Sequence, residues 1–202
     1  MDALIKLSRG IDAINEKFGA IATYFVLFAC LLSAANAAIR YGLDGLLRLS
    51  HAVPELGFIQ HMLTWYGANA NAFLEAQWYL FTGIVLLGGP LTLKLNEHVR
   101  VDLLYGFASP RARIFIDIFG TIFFLLPICL ILIYFTWPWF LDSWRIQEYS
   151  SNAGGLIRWP VKLLLPVGFF LMALQGISEL IKRIAALLGR AELGCRYEAP
   201  LQ

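Results

Sequence analysis

Few side chains in this sequence have the type and spacing that chemistry requires. The histidines are His51, His61 and His98, and the cysteines are Cys30, Cys129 and Cys195. Haem held in a helical membrane bundle needs facing histidines within the apolar segments, whereas all three histidines fall in the connections between such segments. The cysteines are too scattered for a disulfide framework or a zinc site. Two of them sit in apolar blocks, where a thiol serves as a small hydrophobe. No glycine-rich phosphate loop, nucleophile elbow or metal-binding helix motif occurs. The chain is therefore not expected to be an enzyme or to hold a cofactor, and without a run of Lys and Arg it is not expected to bind nucleic acid.

The acids and amides point to packing. Asp117 follows Arg113 by four residues and Glu179 precedes Arg183 by four, the spacing of ion pairs on one helix face. Glu75 stands at the border of an apolar block. Gln175 is the one strongly polar residue deep inside such a block, where an interhelical hydrogen bond is its usual use. A channel or ion-coupled carrier keeps ionisable groups at mid-membrane, each at a cost of about 2.5–3.5 kcal/mol on insertion scales. This sequence places none there.

The elements that position these residues follow from the apolar pattern. Of 202 residues, 59% are hydrophobic and 15% charged, and the mean hydropathy is +0.67; soluble domains carry about 45–50% apolar and about 25% charged residues. The excess lies in long blocks. Phe18 to Ile39, Ala76 to Leu93 and Ile118 to Leu141 contain no charge, and Leu163 to Ser178 is a shorter fourth block bordered by Lys162 and Glu179. A helix crossing the ~30 Å hydrocarbon layer needs about 20 residues, and Lys162 can snorkel to extend the fourth. The expected fold is an all-α membrane protein, a single membrane domain whose four transmembrane helices lie near 18–40, 76–95, 114–139 and 161–181.

Charge sets the expected orientation. With the N-terminus inside, eleven Lys and Arg fall on inner segments and five on outer ones, so both termini are expected to be cytoplasmic. Trp65, Trp78, Trp137, Trp139, Trp144 and Trp159 then all fall near the outer interface, as one aromatic belt. Phe18 to Leu32 followed by Ala35-Asn36-Ala37 has the outline of a cleaved signal peptide, but Asp2, Asp12 and Glu16 dilute the positive charge before it. Leu4, Leu7, Ile11, Ile14 and Phe18 recur at helical spacing, so an N-terminal amphipathic helix on the cytoplasmic membrane surface is expected instead.

The first outer connection, Arg40 to Glu75, is expected to hold one or two short interfacial helices broken at Pro54. Ser109-Pro110 marks a helix start, with Ser as N-cap and Pro at the first helical position. Ala29, Ser33 and Ala37, beside Cys30, Ala34 and Ala38, form small-residue rows that let another helix approach closely. Pro90, Pro127 and Pro166 each predict a kink.

From Glu75 onward the sequence resembles the small membrane (Q) subunit of TRAP transporters, the tripartite ATP-independent periplasmic uptake systems. The likeness rests on Glu75 with Trp78-Tyr79-Leu80-Phe81, and above all on His98-Val99-Arg100-Val101-Asp102-Leu103-Leu104-Tyr105. It continues through Ser109-Pro110-Arg111-Ala112-Arg113, Asp117, Ser150-Ser151, Gly155-Leu156-Ile157-Arg158-Trp159-Pro160-Val161-Lys162, Pro166 and Leu174-Gln175-Gly176. The first outer connection is longer than the usual pattern.

The resemblance implies a scaffold for a large multi-span membrane subunit in cation-gradient-driven uptake of an organic acid delivered by a periplasmic binding protein. The coupling ion, usually Na⁺, belongs to the large partner, and the location is a bacterial or archaeal inner membrane. On this footing Glu75, His98, Arg100, Asp102, Arg111, Arg113, Asp117 and Gln175 are expected to organise the subunit interface, the lipid contacts or the bundle itself. Arg48, Arg145, Glu148 and Arg158 are expected to receive the soluble protein. The competing class is a tetraspan anchor or assembly factor of a complex that transports nothing.

Overall fold

The computed structural model describes residues 1–52, 57–98, 105 and 107–189. Four helices dominate: α1 (Asp2–Ala52), α2 (Gly57–Leu95), α3 (Pro110–Arg145) and α4 (Trp159–Leu187). Each is long and apolar enough to cross a membrane, in agreement with the four apolar blocks. α1 runs antiparallel to α2 and α3 to α4. Contacts between Ser8 and Ser178 bring the start of α1 beside the end of α4, and Lys94 at the end of α2 pairs there with Glu16. Both ends of the described chain therefore lie at the same end of the bundle, as an even number of crossings requires.

The helices are longer than the apolar blocks. α1 has 51 residues, about 77 Å at ~1.5 Å per residue, more than twice the hydrocarbon thickness. The expected separate N-terminal amphipathic helix is instead the first third of α1, continuous with the crossing segment. The short helices expected in the first connection are likewise replaced by extensions of α1 and α2, which leave only residues 53–56 between them. Pro54, the predicted break, lies outside the described residues. The physical reason is that no proline interrupts 2–52 or 57–89, and Leu, Ala, Ile and Arg carry the helix outward at little cost.

Packing in the middle of the bundle is apolar and close. Ala22, Leu87 and Leu171 form the buried core, with Phe18, Phe25, Leu164 and Val167 against it, so α1, α2 and α4 share one centre. The rows on α1 that suggested close approach are not where the helices meet: Ser33, Ala34, Ala37 and Ala38 are exposed. Contact falls at Gly168 instead, where an added Cβ would lie 2.6 Å from Leu86 Cβ and 3.0 Å from its carbonyl oxygen. α3 covers α4, and much of its other surface is exposed Phe115, Phe119, Phe123, Leu130, Tyr134 and Phe135, a face suited to lipid or another apolar surface.

Proline acts where the sequence predicted kinks, though not uniformly. Pro90 and Pro166 are buried within unbroken helices. Before Pro127, α3 widens into a π-turn at Thr121–Leu125, with the Leu126 N–H donating to the Thr121 carbonyl. A wide turn accommodates the missing N–H and the ring that would crowd a regular helix. Ser109 Oγ accepts from the Ala112 N–H and Pro110 follows it, the predicted start of α3.

The Gly168 contact predicts that Gly168→Ala lowers stability by about 1–3 kcal/mol, the usual effect of overpacking. Gly10, in the same kind of helix but with nothing near its would-be Cβ, should become more stable by up to about 1 kcal/mol as Ala. Thermal unfolding of the two variants in one detergent gives the comparison, and a Gly168→Ala chain as stable as Gly10→Ala would refute the close approach.

Candidate interaction surfaces at the two ends of the bundle

At the end where the chain starts, a stripe of α1 meets a stripe of α4. Ser8, Asp12 and Asn15 recur at helical spacing on one helix, and Gln175, Ser178, Glu179 and Lys182 on the other. Ser8 Oγ and Ser178 Oγ are 2.7 Å apart, and Ser178 Oγ donates to Asp12 Oδ1 at 2.7 Å. Asn15 Nδ2 donates to Gln175 Oε1 at 2.7 Å, and Gln175 Nε2 donates to Asp12 Oδ1 at 3.1 Å. Asn15, Gln175 and Ser178 are fully buried. Only Asn15 Oδ1 is left without a partner in this cluster.

The cluster continues as ion pairs. Lys182 Nζ lies 2.7 Å from Asp12 and 2.8 Å from Glu179. Arg183 reaches Glu179 at 2.8 Å along α4 and Asp117 on α3 at 3.1 Å. Asp117 thus takes its cation from across the bundle rather than from Arg113 on its own helix. Tyr105 Oη also donates to Asp117 at 2.9 Å, while Arg113 Nε donates to the Tyr105 carbonyl at 3.0 Å. Three helices and Tyr105 of the α2–α3 connection are tied by one set of charge-assisted bonds.

At the other end the centre is Glu75, a carboxylate only 6% exposed. It accepts from Ser150 Oγ, from Asn152 Nδ2 at 2.9 Å and from the Leu156 N–H at 2.7 Å. Those donors lie on the α3–α4 connection, which folds back on itself: Ser150 N–H donates to Leu156 O at 3.0 Å and Arg158 N–H to Glu148 O at 2.8 Å. Tyr79 Oη donates to Ile157 O at 3.0 Å and Asn71 Nδ2 to Ala153 O at 2.9 Å. Gly154 sits at φ +67, where an added Cβ would meet the Ala68 carbonyl at 2.0 Å, so only glycine passes beneath α2 there. Glu148 pairs with Lys162, whose ammonium lies 4.3 Å from the Trp139 ring centre, and with Arg158 at 4.0 Å. The Lys162 partner holds the Glu148 carboxyl below its ordinary value of 4.5.

The residues singled out from sequence divide accordingly. Asp117, Arg113 and Gln175 belong to the first cluster or its border, and Glu75 to the opposite end. Arg111 and His98 are exposed; Arg100 and Asp102 lie outside the described residues. Arg48 and Arg145 are exposed, Arg145 beside Asp142 at 4.0 Å, whereas Glu148 is engaged within the loop and Arg158 is half-exposed near it. Sequence reasoning missed Ser8, Asp12, Asn15, Ser178 and Lys182. Their signal was present as two polar stripes at helical spacing in otherwise apolar helices.

Two outcomes are expected of this loop. Glu75→Ala should cost about 2–4 kcal/mol locally by stranding several donors, read as at least a tenfold loss of hydrogen-exchange protection at the Leu156 amide; unchanged protection would refute the clamp. Because the Glu148 carboxyl is depressed in the fold, its contribution is full above pH ~4.5 and fades as pH falls through the lowered value. Protease nicking of 146–158 should therefore rise on acidification below pH ~4.5 in the wild type, and Glu148→Gln should already be more susceptible at neutral pH.

Comparison with known proteins adds a family match. The family model described as tripartite ATP-independent periplasmic transporters, DctQ component, matches residues 70–186, from one turn before Glu75 almost to the end of α4. No curated protein and no solved structure matches the chain. The match takes in more than half of the sequence, including the Glu75 clamp, Asp117 and the α4 stripe. By this measure the chain belongs to the DctQ family, the small subunit of TRAP transporters.

Proposed function

We propose that this small permease subunit scaffolds a large multi-span membrane subunit in cation-gradient-driven uptake of an organic acid handed over by a periplasmic binding protein. It works in a bacterial or archaeal inner membrane with both termini cytoplasmic. The coupling ion, Na⁺ in this reading, is held by the large partner.

The observation that carries the reading is how the ionisable groups are used. Asp12, Asp117, Glu179, Lys182 and Arg183 neutralise one another at one end, and Glu75, Glu148 and Lys162 are engaged at the other. Between them lies the apolar layer of Ala22, Leu87 and Leu171. A desolvated anion or Na⁺ needs fixed charges or several oxygen ligands in such a layer, whereas broad apolar outer faces suit association with a second membrane protein. Arg48 and Arg145, exposed at the loop end, suit an encounter with a soluble partner.

Co-expression with the large membrane subunit of its own system should give a complex that survives detergent purification. Arg100→Ala and Asp102→Ala should lower assembly or uptake without changing which acid is taken up; altered selectivity would overturn the scaffold reading, as would saturable, gradient-driven accumulation by this chain alone in liposomes. Reversing Arg48, Arg145 and Arg158 together to Glu should reduce uptake roughly three- to tenfold at limiting binding protein, and unchanged transport would remove these residues from docking.

A further inference from the structure

A groove of about 480 Å³ opens on the side of the bundle between α1 and α2, lined by Ser33, Asn36, Ala37, Arg40, Tyr41 and Gln77. Ser33, Asn36, Ala37 and Arg40 follow one face of α1 at intervals of three and four. Asn36 is 6% exposed, and its Oδ1 accepts from Tyr66 Oη at 2.5 Å. Its Nδ2 has no partner among the described residues and borders the groove. The Arg40 guanidinium is exposed and forms no ion pair among them. Ser33 Oγ and the Gln77 amide add further polar atoms without a partner among the described residues. An amide N–H facing the groove, beside a guanidinium that has no ion pair among the described residues, suits an anion with several acceptor oxygens.

The position specifies the anion further. Arg40 directly follows the apolar stretch that ends at Ile39, so it stands at headgroup depth. One turn and two turns deeper than Gln77, Phe81 and Val85 are 65% and 55% exposed, and Ala29 continues the α1 face below Ser33. The groove thus passes from cationic to apolar along the membrane normal, the order of a phosphate and its acyl chains. No carboxylate is among the described residues that line it, so nothing there receives an ammonium group. We propose that this groove binds the phosphodiester of an anionic phospholipid, phosphatidylglycerol in preference to phosphatidylethanolamine, through Arg40 and Asn36, with acyl chains against Ala29, Phe81 and Val85.

The test is native mass spectrometry of the full chain in detergent with equimolar phosphatidylglycerol and phosphatidylethanolamine. The phosphatidylglycerol adduct should predominate and resist inorganic phosphate at the same concentration. Arg40→Ala should weaken it about tenfold and Gln77→Leu by less, while Arg145→Ala, an exposed arginine at the other connection, should leave it unchanged. Thermal unfolding of each variant shows that the fold is kept, and Gln77→Leu serves as the second reading if Arg40→Ala fails to fold. Equal retention of the two lipids, displacement by inorganic phosphate, or equal losses with Arg40→Ala and Arg145→Ala would each overturn the site. So would exclusion of the lipid from the groove by a protein partner in the purified complex.

Discussion

Lipid is a solvent that offers no hydrogen bonds, so every polar group a chain carries into it must be answered from within the chain. The junction of α1 with α4 shows this constraint most directly. Ser8, Asp12 and Asn15 have no water to face once the helices meet, and each finds its answer on Gln175, Ser178 or Lys182. Single interhelical hydrogen bonds in membranes are worth only about 0.6 kcal/mol on average. Their larger consequence is register: a one-residue rotation of α1 would set Leu or Ile against the α4 stripe and strand several polar groups at once, at about 1–3 kcal/mol for each. The same stripe fixes where α3 stands, because Arg183 joins Glu179 to Asp117.

The opposite end meets the constraint in another way. Here the polar groups belong to a connection rather than to two helices, and one buried carboxylate collects them. Glu75 takes a side-chain hydroxyl, a side-chain amide and a backbone N–H from a single loop, which makes the connection part of the bundle. A surface for an external partner gains from this, since a loop already ordered loses less entropy on binding.

What was legible in the sequence and what was not follow from the same physics. Four crossings were legible because an apolar block long enough to span leaves no alternative, and the start of α3 because Ser109-Pro110 is a local signal. Helix ends beyond the hydrocarbon layer were not, since Arg40 to Glu75 is polar enough to look like a connection yet carries no proline except Pro54. Of the stripe Leu4, Leu7, Ile11, Ile14 and Phe18, Leu4, Leu7 and Ile14 are exposed, whereas Ile11 is buried and Phe18 packs against the core. Asp117 shows the limit of spacing rules: four residues from Arg113 on one helix, it takes Arg183 from another, because a cation brought by tertiary packing outweighs a local pair worth only a few tenths of a kcal/mol.

The family match begins at residue 70, so it leaves out α1, although α1 provides half of the buried polar cluster and one wall of the core. This division has a physical basis. α4 presents Gln175, Ser178 and Lys182, groups that demand partners but not particular ones: Ser, Thr, Asn or Asp at matching intervals on a neighbouring helix would serve. The Glu75 clamp is more exacting, since a carboxylate, a tight loop and Gly154 at positive φ must coincide. A helix held by interchangeable small polar residues is free to vary in sequence and to lengthen at its far end, as α1 does here, so long as its first third keeps the stripe that α4 requires.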